Sequence, residues 1–241
     1  FSTLDTNDIS NTIIDGQNSG NVVRFENGED NTCTLNGFTV RNGNQTGSGA
    51  GGGIYINDAS PSLSNLIIED NQAEDGGGIG ISSMIYNPST GTVTSSIFRN
   101  LIIRNNISLD AGGGIWCHGP SQFELIESKI IGNEANSDGG GIWLNGNNTA
   151  TIKNSLILGN YTNMGDGGGI WSVGSGVNLT IEESKITSNI ADDNGGAIRC
   201  QNAIVDIVYT EISNNIAAND GSGNGGGISS ASSQLNIQNV T

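Results

Sequence analysis

The sequence predicts an all-β fold, a single-stranded right-handed parallel β-helix of about eight coils. Three observations carry this. First, the run Gly139-Gly140-Gly141-Ile142-Trp143-Leu144 recurs at Gly51–Ile56, Gly76–Ile81, Gly112–Cys117 and Gly167–Ser172, with looser copies at Gly195–Cys200 and Gly225–Ser230. Most copies start about 25 to 30 residues apart, the spacing of a repeat architecture. Second, the residues between the runs fall into columns. Leu63, Leu125, Ile152, Ile181, Ile207 and Ile237 align; so do Ile68, Ile103, Ile130, Ile157, Ile186 and Ile212. A third column is Asn71, Asn106, Asn133, Asn160, Asn189 and Asn215. Third, apolar residues alternate in short segments, and helical periodicity is absent.

Taken in order, residues 1–50 are irregular first coils. Ile13-Ile14-Asp15-Gly16 and Val22-Val23-Arg24-Phe25 read as short strands, and Leu35, Phe38 and Val40 alternate with small or polar residues. A loop over 44–50 leads into the first glycine run. From 51 to 241 one unit repeats. In residues 139–166, Ile142 and Leu144 alternate around Trp143, Asn145 to Asn148 turn, and Ala150, Ile152, Leu156 and Leu158 continue the alternation. Asn160 ends the unit, giving three short β segments per coil. None buries its apolar face alone. Stacking coil on coil in register pairs every segment and sets Ile over Ile and Asn over Asn. A right-handed sense follows from the rule for parallel crossovers, and eight coils make a rod about 40 Å long. Residues 83–94, with Pro88, and 215–225 read as inserted loops.

Composition narrows the function classes. The 241 residues include 38 glycines, and only 34% are hydrophobic. Such values accompany disorder, but Ile at fixed offsets argues against it. The formal net charge of −16 opposes binding to nucleic acid or to an anionic membrane. It suits a secreted or cell-surface protein, or one that holds Ca²⁺. Three cysteines make no disulfide framework, and Cys117 and Cys200 share a column as buried thiols. No segment approaches the ~20 apolar residues of a membrane span. The chain opens at Phe1 inside patterned sequence, stops at Thr241 in an unfinished coil, and shows no helix or polar cap at either end. The expectation is one β-helix domain over 1–241 that belongs to a longer chain with further domains.

The Gly-Gly-(Gly/Ala)-Ile runs, paired with Ile-x-x-Asn as in Ile130-Ile131-Gly132-Asn133, resemble the repeats of chlamydial polymorphic outer-membrane proteins. They also resemble the wider pectate-lyase-like class of secreted bacterial β-helix proteins. The opening, Thr12 to Gly16 and Gly37 to Asn44, is similar to the first coils of large proteins of that class. The resemblance implies export to the surface or medium. It is compatible with adhesins as well as with lyases and hydrolases of polysaccharides.

Two columns carry candidate sites. The residue after each Gly-Gly-Gly-Ile points outward, and the column reads Tyr55, Gly80, Trp116, Trp143, Trp171, Arg199, Ser229. It holds all three tryptophans. The aromatic residues and Arg199 form either a platform for the sugar rings of a polysaccharide or host glycan, or a strip whose rings shield each other and the sheet. Asp75, Asp138 and Asp166 precede glycine runs, with Asp110 one place earlier and Asn194 and Asn224 in the same column. They either bind Ca²⁺ with neighbouring carbonyls or cap turn N–H groups. Catalytic sets are thin. His118 reads as a turn residue, Asp192-Asp193 lack accompanying basic motifs, and Lys129 and Lys185 flank Leu156. The leading expectation is a scaffold or adhesin segment that binds carbohydrate. The alternative is a polysaccharide lyase or hydrolase.

Overall fold

A computed structural model describes residues 6–87, 92–217 and 223–241. They form a β-solenoid of eight coils, counted by the eight strands of one sheet, from Val23–Phe25 to Ile228–Ala231, the last seven of them led by glycine runs. A second sheet has seven short strands and a third has fourteen. Among the described residues every pairing between named strands is parallel except one hairpin. The three apolar and amide columns are real ladders. Leu125 sits over Ile152 and Ile152 over Ile181. Ile130 sits over Ile157 and Ile157 over Ile186, all fully buried. Each such side chain contributes about 1.5 to 3 kcal/mol by leaving water. No described helix is long and apolar enough to cross a membrane.

From Ile115 to Ala217 each coil has four strand segments rather than three. After the Asn column comes a two-residue strand, as in Glu134–Ala135, Tyr161–Thr162 and Ile190–Ala191. The fourteen-stranded sheet is two limbs meeting at a bend. Ser62–Glu69 and Ser96–Arg104 run unbroken through it, whereas later coils split there into pairs such as Ser121–Ile126 and Lys129–Ile131. The bend residue is left-handed in every coil: Gly37 at φ 83°, then Asn65, Asn100, Glu127, Asn154, Glu183, Tyr209 and Asn239 with φ of 49° to 53°. Beneath it Ser128, Ser155 and Ser184 accept the backbone N–H of the coil before, at 3.1 Å for Leu101 to Ser128.

The Asn ladder lies inside the wall. The left-handed residue is its predecessor (Asp70, Asn105, Gly132, Gly159, Ser188 or Asn214), not the ladder Asn itself. Asn106 donates its backbone N–H (3.1 Å) and its Nδ2 (2.9 Å) to Asn133 Oδ1. Asn133 donates likewise to Asn160 Oδ1, and its second Nδ2 hydrogen goes to Ile103 O at 3.0 Å. Every polar atom of these buried amides is thereby engaged.

The glycine runs are dictated by contact. The first glycine of each run is left-handed, with φ of 63° at Gly139. At the second, Gly140, a Cβ would lie 2.4 Å from Tyr161 O and 2.7 Å from Gly168 O. A side chain there would part the coils.

The first coils differ from expectation in three ways. A short helix, Thr6–Asn11, stands at the start; Ile9 is buried and Thr39 Oγ1 donates to its carbonyl. Residues 44–50 are a strand, not a loop, with an irregular register against Gln72–Asp75. The strands of residues 13–41 stack in register on later ones, Ile14 over Val40 over Ile68. Further on, the inserted segment 83–94 contains an antiparallel pair, Tyr86–Asn87 with Thr92–Val93. Pro88, and residues 218–222 of the second insertion, lie outside the described residues. Cys117 and Cys200 are buried and unpaired, three rungs apart, and burial pushes the Cys117 thiol up to about 12.

Candidate functional site: an aromatic column with one gap

The outward column forms because its strands alternate. Ile54 and Ile56 are fully buried, so Tyr55 points away from the core; Ile115 and Cys117 do the same for Trp116, and Ile142 and Leu144 for Trp143. Parallel in-register pairing then sets like positions one above another. The column runs Arg24, Tyr55, Gly80, Trp116, Trp143, Trp171, Arg199, Ser229. The Tyr, the three Trp and Arg199 are therefore brought together as expected, and Arg24 extends the series.

Its side chains stack on one another. The Trp116 and Trp143 rings lie 5.7 Å apart and 4° from parallel. Trp171 meets Trp143 edge-on at 6.2 Å. His118 is not a turn residue. It ends the strand Ile115–His118, on the same side as Trp116, and stacks at 5.5 Å from that ring and 6.1 Å from Trp143. Each aromatic contact contributes about 0.5 to 1.5 kcal/mol beyond area burial. The indole N–H groups of Trp143 and Trp171 are shielded from solvent and have no hydrogen-bond partner among the described residues. Arg199 closes the far end; its Nε lies 3.3 Å from Asp166 Oδ2 and its Nη1 donates to Ser229 Oγ at 2.8 Å. At the near end the Arg24 guanidinium lies 5.0 Å from the Tyr55 ring centre. It is held by Glu26 and by Asn21 Oδ1.

The stack is interrupted at one rung. Gly80 has no side chain, and the backbone forbids one: a Cβ there would sit 2.4 Å from Gly51 N and 2.7 Å from Ala50 Cβ. A cavity of about 250 Å³ opens beside this rung. Tyr55 and Trp116 border it, with Asp75, Asn21, Gln45 and Ser82. Ser82 Oγ lies 3.2 Å from Tyr55 Oη. Column spacing exposed the tryptophans in sequence, but this cavity is visible only in three dimensions.

The acidic column acts as a turn ladder. Asp138 Oδ1 accepts the Asp166 N–H at 2.8 Å, and Asp166 Oδ1 accepts the N–H (2.8 Å) and Nδ2 (2.9 Å) of Asn194. Asn194 Oδ1 does the same for Asn224. Burial, reinforced by Asp110, pushes Asp75 up to about 6. Burial also pushes Asp138 up to about 6, with repulsion from Asp166, Asp110 and Asp193 adding to it. Among the described residues no three His, Cys, Asp or Glu side chains gather as a metal-ligand set, Asp75, Asp110, Asp138 and Asp166 included.

A second concavity, about 730 Å³, follows the bend of the large sheet. Lys129 and Lys185 line one wall on either side of Leu156, and Glu127, Glu183 and Tyr209 line the other. Lys185 is tied to Glu211 at 2.7 Å, so the cationic wall is partly neutralised. Asp192 and Asp193 are both exposed. Of the Asn-x-Ser/Thr triplets, Asn106 and Asn160 are buried in the ladder and closed to glycosylation in the folded chain. Comparison with family models, with curated proteins and with solved structures finds no match to this chain.

Proposed function

We propose that this chain is a β-solenoid scaffold or adhesin segment of the cell surface or extracellular medium, and that it binds carbohydrate through its outward aromatic column. The observation that carries the reading is the column itself. Four aromatic side chains on one face of one sheet stand half-exposed, with amide, hydroxyl and carboxylate groups beside them. Aromatic faces take up the C–H faces of sugar rings, and polar neighbours orient the hydroxyls. The resemblance to secreted proteins of the pectate-lyase-like class supports the location. A tryptophan-fluorescence titration against a panel of polysaccharides and host glycans tests it. Quenching or a spectral shift that saturates is the expected result, and no change across the panel would overturn the reading.

One observation favours the alternative, a polysaccharide lyase or hydrolase: the groove along the bend, with exposed Lys129 and Lys185. Incubation with uronate polymers and added Ca²⁺ separates the two. New unsaturated ends or reducing ends mean an enzyme.

A further inference from the structure

Tyr55 and Trp116 differ from the other rings of the column. Each has a stacked neighbour on one side only: Arg24 for Tyr55, and Trp143 with His118 for Trp116. Their other sides face the rung of Gly80 and border the 250 Å³ cavity. Two rungs separate them, about 9.6 Å at the usual strand spacing. A ring placed midway lies about 4.8 Å from each, inside the range in which stacked rings attract. The protein's own Trp116 and Trp143 stack at 5.7 Å. The gap is thus one ring thick, and the rest of the column supplies the geometry that an inserted ring would copy.

The remaining walls select the kind of ring. Asp75, Gln45, Asn21 and Ser82 present oxygens and amide groups around the edge of the gap, and Ala50 presents only a methyl group at its floor. Asn21 is already bonded to Ala50 O and Arg24, and Ser82 to Tyr55, but a flat hydrocarbon would cover the Asp75 carboxylate and the Gln45 amide without bonding them, which costs about 1 to 3 kcal/mol for each one buried. A pyranose fits both demands, with C–H groups on its faces and hydroxyls round its edge.

We infer that the gap at Gly80 is a monosaccharide subsite, in which a pyranose ring is sandwiched between Tyr55 and Trp116 and its hydroxyls are read by Asp75, Gln45, Asn21 and Ser82. This rests on the carbohydrate reading above and narrows it to one rung. Trp143 and Trp171 then serve the stack and do not touch the sugar.

The test is a binding titration by NMR and fluorescence, using methyl glycosides of glucose, galactose, mannose and N-acetylglucosamine, on the wild-type chain and on Tyr55→Ala, Trp116→Ala and Trp171→Ala. At least one glycoside binds the wild type. Tyr55→Ala and Trp116→Ala each weaken it tenfold or more, and Trp171→Ala changes it less than twofold. If Trp116→Ala does not fold, Tyr55→Ala and Ser82→Phe, whose ring would occupy the gap, decide the matter by the same tenfold criterion. A glycoside whose affinity falls equally with Trp171→Ala would overturn the subsite and leave the column reading intact. So would polysaccharide binding with no response to any single glycoside. Silence from both glycosides and polysaccharides would remove the column reading itself.

Discussion

Replacing Asn133 by Ala tests how much the internal ladder holds the coils together. Asn133 Oδ1 accepts two bonds from Asn106, and its Nδ2 donates to Ile103 O and Asn160 Oδ1. The substitution leaves the Asn106 N–H and one Nδ2 hydrogen without an acceptor, in a region where Asn106 is fully buried. Each orphaned donor costs about 1 to 3 kcal/mol, so the loss is on the order of 2 to 6 kcal/mol before any cavity is counted. Asn71 is a useful comparison. Its Oδ1 accepts one bond, from the Gly43 N–H at 2.8 Å, so Asn71→Ala orphans one donor there rather than two. Chemical denaturation ranks the two variants against exposed Asn147→Ala. Hydrogen exchange at the Asn106 amide locates the damage, since a solenoid can open coil by coil. The reasoning fails if Asn133→Ala is no less stable than Asn147→Ala, or if the Asn106 amide stays as protected as in the wild type.

Two further outcomes follow from the outer columns. Asp75 and Asp138 are both pushed up to about 6 from 3.8, so the folded chain binds protons that the unfolded chain has released. Their penalty is absent below about pH 4, grows as pH rises to about 6, and is constant above it. Two pKa units correspond to about 3 kcal/mol, and solvent screening of these half-exposed groups reduces this to about 1 kcal/mol each. The melting temperature therefore rises between pH 7 and pH 5. Asp138→Asn, which keeps an oxygen for the Asp166 N–H as Asn194 does for Asn224, stabilises the chain at pH 7 and flattens that rise; a destabilised Asp138→Asn at pH 7 would contradict this. Gly140→Ala puts a methyl group 2.4 Å from Tyr161 O and abolishes folding, whereas Gly159→Ala, left-handed at φ 63° but in open space, costs about 1 kcal/mol by circular-dichroism melts. Equal melts for the two would show that the close approach of Tyr161 O and Gly168 O does not dictate the glycine at 140.

The ladders were legible in the sequence because in-register stacking copies a sequence column into a spatial one. Ile130, Ile157 and Ile186 needed only counting. The fourth segment of each coil was not legible. Its inward residue is small or polar, Ala73, Ser108, Ala135, Thr162 or Ala191, so no apolar alternation marks it. The helix Thr6–Asn11 has one buried anchor, Ile9, too little to show a 3.6-residue period. His118 was within reach: it stands two residues after Trp116 on a strand, which puts both side chains on one face. The neighbouring Gly119-Pro120 signalled a turn, and the turn signal outweighed the alternation. Gly80 was visible as a member of the outward column, but nothing in the sequence says that Ala50 covers it or that a cavity opens beside its rung.

That cavity has a traceable cause. Gln45 pairs with Ala73 and Ala50 with Asp75, so five steps of chain on one coil answer two on the next. The three extra residues bow the strand Asn44–Ala50 outward and bring Ala50 and Gly51 down onto Gly80, closer than any Cβ allows. Gly80 is therefore the answer to a local misfit in the preceding coil. The same misfit places Gln45 and Gly49 along the cavity wall. The coils whose glycine runs start at Gly112, Gly139, Gly167 and Gly195 have no such insertion before the run, and each fills the outward position with a ring or an arginine. A regular stack covers its own ring faces and offers a ligand only their edges. The one irregular coil leaves Tyr55 and Trp116 with no ring between them, two rungs apart.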